Sequence, residues 1–143
     1  MTMFKKQTGI WLDFKEAYLI TLADEKAEPA VQHIRSDIEW GVPKGGSRSK
    51  QPWGPHMAVS EQAFLARRKQ EEKRYMEAII AAIDPEADGL MIFGPAEAKI
   101  RLQQAIHAAR NFGPRLLAVE TADSMTPNQM VAAVRAFFAE KVG

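Results

Sequence analysis

Leu90-Met91-Ile92-Phe93-Gly94-Pro95 is the stretch that decides the fold. Four consecutive apolar residues leave no polar face, so this strand is expected to be covered on both sides, as in a parallel sheet flanked by helices. Gly94-Pro95 ends the run, and Pro95 reads as the first residue of a helix with Leu102, Ile106 and Ala109 along its apolar stripe. Asn111 to Pro114 stop that helix. Leu116-Leu117-Ala118-Val119 reads as the last strand. Thr126-Pro127 supplies an N-cap and a first helical residue for a final helix that turns Met130, Val134, Phe137 and Phe138 to the core.

Upstream the pattern is antiparallel. In Ile10-Trp11-Leu12-Asp13-Phe14 the residues Ile10, Leu12 and Phe14 share a face, Lys15-Glu16 makes a turn, and Ala17 to Leu22 is rich in β-formers. Val31 to Trp40 alternates: Ile34, Ser36, Ile38 and Trp40 point one way, His33, Arg35, Asp37 and Glu39 the other. That is the mark of a half-solvated strand. Gly41 to Val59 breaks the period with four glycines and three prolines, and no acid stands between Glu39 and Glu61. A long basic loop is expected there, followed by a helix that Ser60 caps and Asp84-Pro85 ends. Tyr75, Met76, Ile79, Ile80 and Ile83 make the second half of that helix a core element. Its first half carries Arg67, Arg68 and Lys69 and should project outward, with Arg67–Glu71, Arg68–Glu72 and Lys73–Glu77 spaced as i,i+4 pairs. The order βββ, loop, α, β, α, β, α predicts an α/β fold: a mixed sheet with helices on its faces, as in ribonuclease-H-like folds.

Composition sets the outer bounds. The 143 residues are 46% hydrophobic and 26% charged, which excludes a disordered chain and suits one domain over 1–143. Zero cysteines exclude disulfides, thiolate catalysis and zinc–thiolate sites. A net charge of +1, from 19 Lys+Arg against 18 Asp+Glu, argues against a globally basic DNA-binding protein and leaves room for a local basic patch. Lys5-Lys6 is followed by Gln7-Thr8-Gly9 rather than an apolar run, and no membrane-length apolar segment follows, so a cytoplasmic chain with no membrane partner is expected.

Among chemical constellations, Asp13 on the first strand, with Glu72 on the long helix, offers a weak start to a two-metal nuclease site. The strand that should supply a further acid instead ends Ile92-Phe93-Gly94. Asp13 therefore also reads as a plain turn acid. His33, His56 and His107 are too scattered for a metal site, and neither metal nor cofactor is expected. The turn at Gly94 reads as a tight βα connection with none of the phosphate-loop residues, and Glu120 and Asp123 as acids that help cap the last helix. The loop Lys44-Gly45-Gly46-Ser47-Arg48-Ser49-Lys50-Gln51-Pro52-Trp53 is the most informative feature. Paired glycines allow close backbone approach, Lys44, Arg48 and Lys50 can neutralise phosphates, and Trp53 can stack on a base. A plain solvated loop has the same composition.

Taken together, Gly9-Ile10-Trp11-Leu12-Asp13, Lys44-Gly45-Gly46, Phe64-Leu65-Ala66-Arg67-Arg68, Phe93-Gly94-Pro95-Ala96-Glu97-Ala98-Lys99 and Val119-Glu120-Thr121-Ala122-Asp123 resemble the middle domain of archaeal and eukaryotic class-1 peptide-chain release factors. They also resemble the rescue factor Pelota and, more closely, stand-alone bacterial relatives of that domain. The resemblance implies a translation-associated protein that meets the ribosome or tRNA through the loop, in ribosome rescue or peptide release. It implies Gly45-Gly46 as the insertion tip, and RNA contacts by Lys44, Arg48, Lys50, Trp53, Arg67, Arg68 and Lys69. The family's loop continues Gly-Gly-Gln; here Ser47 follows, and a serine hydroxyl with no activating base in sequence is no nucleophile. Peptidyl-tRNA hydrolysis by Gly45, Gly46 and Ser47, and an interaction module that associates through an open sheet edge, including with itself, stand as alternatives.

Overall fold

The computed structural model describes residues 6–23, 28–36, 38, 55–109 and 112–142. Five strands, β1 (Gln7–Leu12), β2 (Glu16–Leu22), β3 (Ala30–Arg35), β4 (Gly89–Gly94) and β5 (Arg115–Thr121), alternate with helices α1 (Pro55–Ala82), α2 (Ala98–Ala108) and α3 (Pro127–Val142) in the expected order. The sheet order is β3-β2-β1-β4-β5. β1–β2 and β2–β3 are antiparallel, while β1–β4 and β4–β5 are parallel. This is the mixed α/β arrangement of ribonuclease-H-like folds.

Both faces of the sheet are covered. On one, Ile10, Leu12, Leu19, Leu90 and Ile92 pack against Tyr75, Met76 and Ile79 of α1, Ile83 just after it, and Leu102 and Ile106 of α2. On the other, Trp11, Ile20, Met91 and Phe93 pack against Met130, Val134 and Phe138 of α3. Hence every residue of β1 and of β4 is buried, as the all-apolar run required. Gly9 is the point where α3 comes nearest: a Cβ there would stand 2.3 Å from Val134 Cγ2.

Three polar clamps join the layers. The Tyr75 hydroxyl donates to the Asp13 carbonyl at 2.8 Å, which ties α1 to the β1–β2 turn. Burial holds the Tyr75 phenol well above its ordinary pKa, with Asp13 and Glu16 adding to the shift, so it stays a donor. Trp11 Nε1 donates to the Asp123 carbonyl at 3.2 Å and fixes the segment entering α3. Lys6 Nζ meets Asp84 Oδ2 at 2.8 Å and joins the start of β1 to the end of α1.

Element ends differ from expectation in ways that have local causes. β3 ends at Arg35, opposite Glu16 where its partner β2 begins; of the rest of the strand expected to Trp40, Asp37, Glu39 and Trp40 lie outside the described residues. The next residue, Ser36, is held against the β1–β2 turn, with its N–H on the Lys15 carbonyl and its Oγ on the Phe14 carbonyl. The turn itself is closed by Asp13, whose Oδ1 accepts from the N–H groups of Lys15 and Glu16, both at 2.8 Å. α1 starts at Pro55, so Ser60 lies inside the helix instead of capping it; proline at the first position has the helical φ already set. α2 starts at Ala98 rather than Pro95, because Ala96 takes a left-handed φ of 53° that no helix can pass through. β5 is longer at both ends than the four apolar residues that announced it. The last helix is capped by Thr126, as expected, and reciprocally by Gln129, in place of Glu120 and Asp123: Gln129 N donates to Thr126 Oγ1 at 3.2 Å, and Thr126 N to Gln129 Oε1 at 2.9 Å. No helix among the described residues is long and apolar enough to cross a membrane.

Two predictions follow from these contacts. Gly94 has φ +149°, and a Cβ there would stand 2.2 Å from the Leu12 carbonyl oxygen. Gly94→Ala should lower unfolding free energy by about 2 kcal/mol or more in urea titration, because a strained backbone and a backbone clash coincide. The Lys6 hydrogen bond pulls the Asp84 carboxyl below its ordinary value of 3.8, helped by the Glu86 N–H. The depressed pKa means that the clamp's contribution is complete above 3.8 and is lost as pH falls below it. Asp84→Asn should therefore flatten the acid limb of the melting-temperature profile and leave the neutral region nearly level.

Candidate nucleic-acid interface

α1 has 28 residues, about 42 Å of helix at roughly 1.5 Å per residue. Its C-terminal half is docked through Tyr75, Met76 and Ile79, and Ile83 just beyond its end joins the same cluster. From Glu61 to Arg74 the one fully buried side chain is Phe64, which stands outside both core clusters. Leu65 continues the core stripe three turns before Met76, yet is 58% exposed. The stripe thus runs past the sheet, and the helix projects beyond it, as the falling apolar density in sequence implied.

That projecting segment carries the cations. Arg67 and Lys69 are exposed, and so are Lys73 and Arg74, which extend the basic run by a turn toward the core. Arg68 is half-buried and engaged with a neighbouring group. Against these stand Glu71 and Glu72, also half-buried. Glu72 Oε1 lies 3.5 Å from Arg101 Nε on α2, so part of the segment's negative charge is met from another element. Between α1 and α2 lies an open groove of about 580 Å³, with Met76, Ile80 and Ala105 on its floor and Glu72, Glu77, Lys69, Lys73 and Arg101 along its rim. Sequence reasoning missed the last three as a group. Lys73 was legible as the next cation on the helix, but nothing in the chain order signals that Arg101 arrives beside Glu72.

Of the expected contact residues, Arg67, Arg68 and Lys69 are therefore on one projecting helix. Lys44, Gly45, Gly46, Ser47, Arg48, Lys50 and Trp53 lie outside the described residues. The two acids considered for a metal pair are both in structural use: Asp13 closes a turn and Glu72 faces Arg101. Among the described residues no three His, Asp or Glu side chains gather in a metal-binding group. His33 stacks on Tyr18, with ring centroids 4.4 Å apart, and its Nε2 is 2.7 Å from Glu16 Oε1. His107 is exposed on α2. The turn after β4 is closed upon itself, since Lys99 is buried and its Nζ donates to the Ala96 carbonyl.

No family model matches the chain, and no curated protein matches it. Among solved structures, the crystal structure of an archaeal translation termination factor is similar over 95% of this chain, with 13% identical residues and a TM-score of 0.44. The chain spans 40% of the length of that protein.

Arg67 and Lys69 have no part in the packing that holds α1, so Arg67→Ala/Lys69→Ala should change unfolding free energy by less than about 0.5 kcal/mol per site in urea titration. A larger loss would make these cations structural.

Proposed function

We propose that this chain is a translation-associated protein that binds RNA of the ribosome or tRNA through the N-terminal half of α1 and the Gly-Gly loop that precedes it in sequence. The observation that carries the reading is the set of exposed cations Arg67, Lys69, Lys73 and Arg74, with Arg67 and Arg74 on one side and Lys69 and Lys73 on the other side of a helix whose other half is anchored in the core. Cations on both flanks of a helix held at one end give the charge and reach needed to meet phosphates. The acid-free segment between Glu39 and Glu61, with Lys44, Arg48 and Lys50, would extend the same positive field. In this reading Gly45-Gly46 forms the tip that approaches RNA most closely, and Trp53 stacks on a base. The quoted resemblance to release-factor middle domains supplies the translational setting. The cytoplasm is the compartment that setting requires, and rescue or peptide release is the class of event.

Chemistry, in this reading, belongs mainly to the ribosome. Ser47 can donate and accept a hydrogen bond, and a backbone N–H at the glycines can point at an attacking water. The protein's contribution is placement.

Co-sedimentation with ribosomes from the native lysate tests the reading. Wild type should travel with a ribosomal fraction at low salt and dissociate steeply as salt rises, because each neutralised phosphate releases counterions. Arg67→Glu/Lys69→Glu, and separately the reversed Lys44/Arg48/Lys50 set, should abolish co-sedimentation while melting as wild type does. Wild type that stays in the supernatant at low salt, or binding indifferent to both reversals, would overturn it.

A further inference from the structure

We infer that the outer edge of β5 is a self-association surface, which pairs antiparallel with β5 of a second copy of this chain about a two-fold axis. The inference concerns the opposite end of the sheet from β3 and is independent of the translational reading.

Among the described residues β5 is the last strand in the sheet order, with β4 on its inner side. Its register on β4 slips by one residue between Leu90 and Met91, which leaves Leu117 as an extra residue: Leu116 stands beside Leu90 and Ala118 beside Met91. Such a bulge reverses the alternation of side chains along the strand. Arg115, beside Gly89, and Glu120, beside Phe93, are five apart, yet the slip puts both on the α3 face of the sheet. Leu116, beside Leu90, and Val119, beside Ile92, are both on the α2 face.

A two-fold axis perpendicular to a sheet keeps each face on its own side, so residues that meet across it must share a face. The slip meets that condition for one register in particular. With the axis between Leu117 and Ala118, Arg115 of one copy stands opposite Glu120 of the other, and Leu116 opposite Val119; each pair occurs twice. Opposite charges meet at both ends and apolar residues within. The backbone fits the same register. Arg115 N–H donates inward to the Asp88 carbonyl and Ala122 N–H inward to the Gly94 carbonyl. Alternation along a parallel ladder then turns the N–H and C=O groups of Leu116 and Val119 outward, where the two residues can exchange hydrogen bonds across the axis.

The side chains beside this edge also want covering. Ile100 on α2 and Leu117 on β5 are both 38% exposed. Ile100 lines an open groove of about 430 Å³ between α2 and the strand, with Gln103 and His107 on its helix side, while the Leu117 side chain lies over Gly89 on the α3 face. The second copy's β5 would cover the apolar wall of that groove. The other sheet edge has no comparable symmetry: β3, Ala30–Arg35, holds one cation and no acid, so a two-fold pairing there brings no opposite charges together.

Sedimentation equilibrium of the full chain across a concentration series tests the inference. Wild type should show a monomer–dimer equilibrium. Arg115→Glu and Glu120→Arg should each weaken it about tenfold, since each replaces two attractive cross-strand pairs with two repulsive ones. Arg115→Glu/Glu120→Arg should restore wild-type association, and circular dichroism should show all three variants folded alike. A monomer at every concentration overturns the inference. So does a dimer that ignores both single reversals, and so does a double reversal that fails to restore what the single ones lost.

Discussion

β1 accepts an antiparallel neighbour on one edge and a parallel neighbour on the other, and the rest of the molecule is arranged around that double commitment. Its position is possible only because both of its faces can be buried. Ile10 and Leu12 go under α1 and α2, and Trp11 goes under α3. Gly9 admits α3 to within contact of the strand backbone. Because β1 and β4 run parallel, the β1–β2 turn emerges at the same end as the carboxyl end of β4. Asp13 therefore serves twice: its side chain closes the turn, and its carbonyl receives the Tyr75 hydroxyl that orients α1. The direction of the long helix, and so of its cations, is set by one buried hydrogen bond at that turn together with the packing below it.

Much of this was legible in the chain. The run Leu90 to Phe93 could only be a strand covered on both sides, and it is. The alternation around Ile34 marked a half-solvated strand, whereas β3 is exposed at five of its six positions; the decline of apolar density along α1 marked where it leaves the core. What escaped was decided by tertiary partners. β3 ends where β2 begins, which no local alternation reveals. Pro95 has the chemistry of a first helical residue, but Ala96 adopts a left-handed conformation and defers the helix to Ala98. Ser60 has the chemistry of a cap, but Pro55 starts the helix earlier.

The candidate site divides the same way. Arg67 could be placed outside by periodicity alone, because it falls away from the Tyr75, Ile79 and Ile83 stripe; Lys69 falls in line with Met76 and Ile80 and is exposed because the core no longer reaches it. Arg101 could not, since it reaches Glu72 only after β4 and α2 have folded back beside α1. The slip in β5 was invisible too. A run of four apolar residues carries no mark of which one is supernumerary; the ladder with β4 decides that.

The separation of α1 into a docked half and a projecting half has a consequence for how the sequence can change over time. Substitutions among Tyr75, Met76, Ile79 and Ile83 disturb a close-packed core and are selected first for stability. Substitutions among the exposed positions from Arg67 to Arg74 alter charge and reach while leaving folding almost untouched. Recognition can therefore drift, sharpen or be retargeted in one half of a helix whose other half keeps the fold constant.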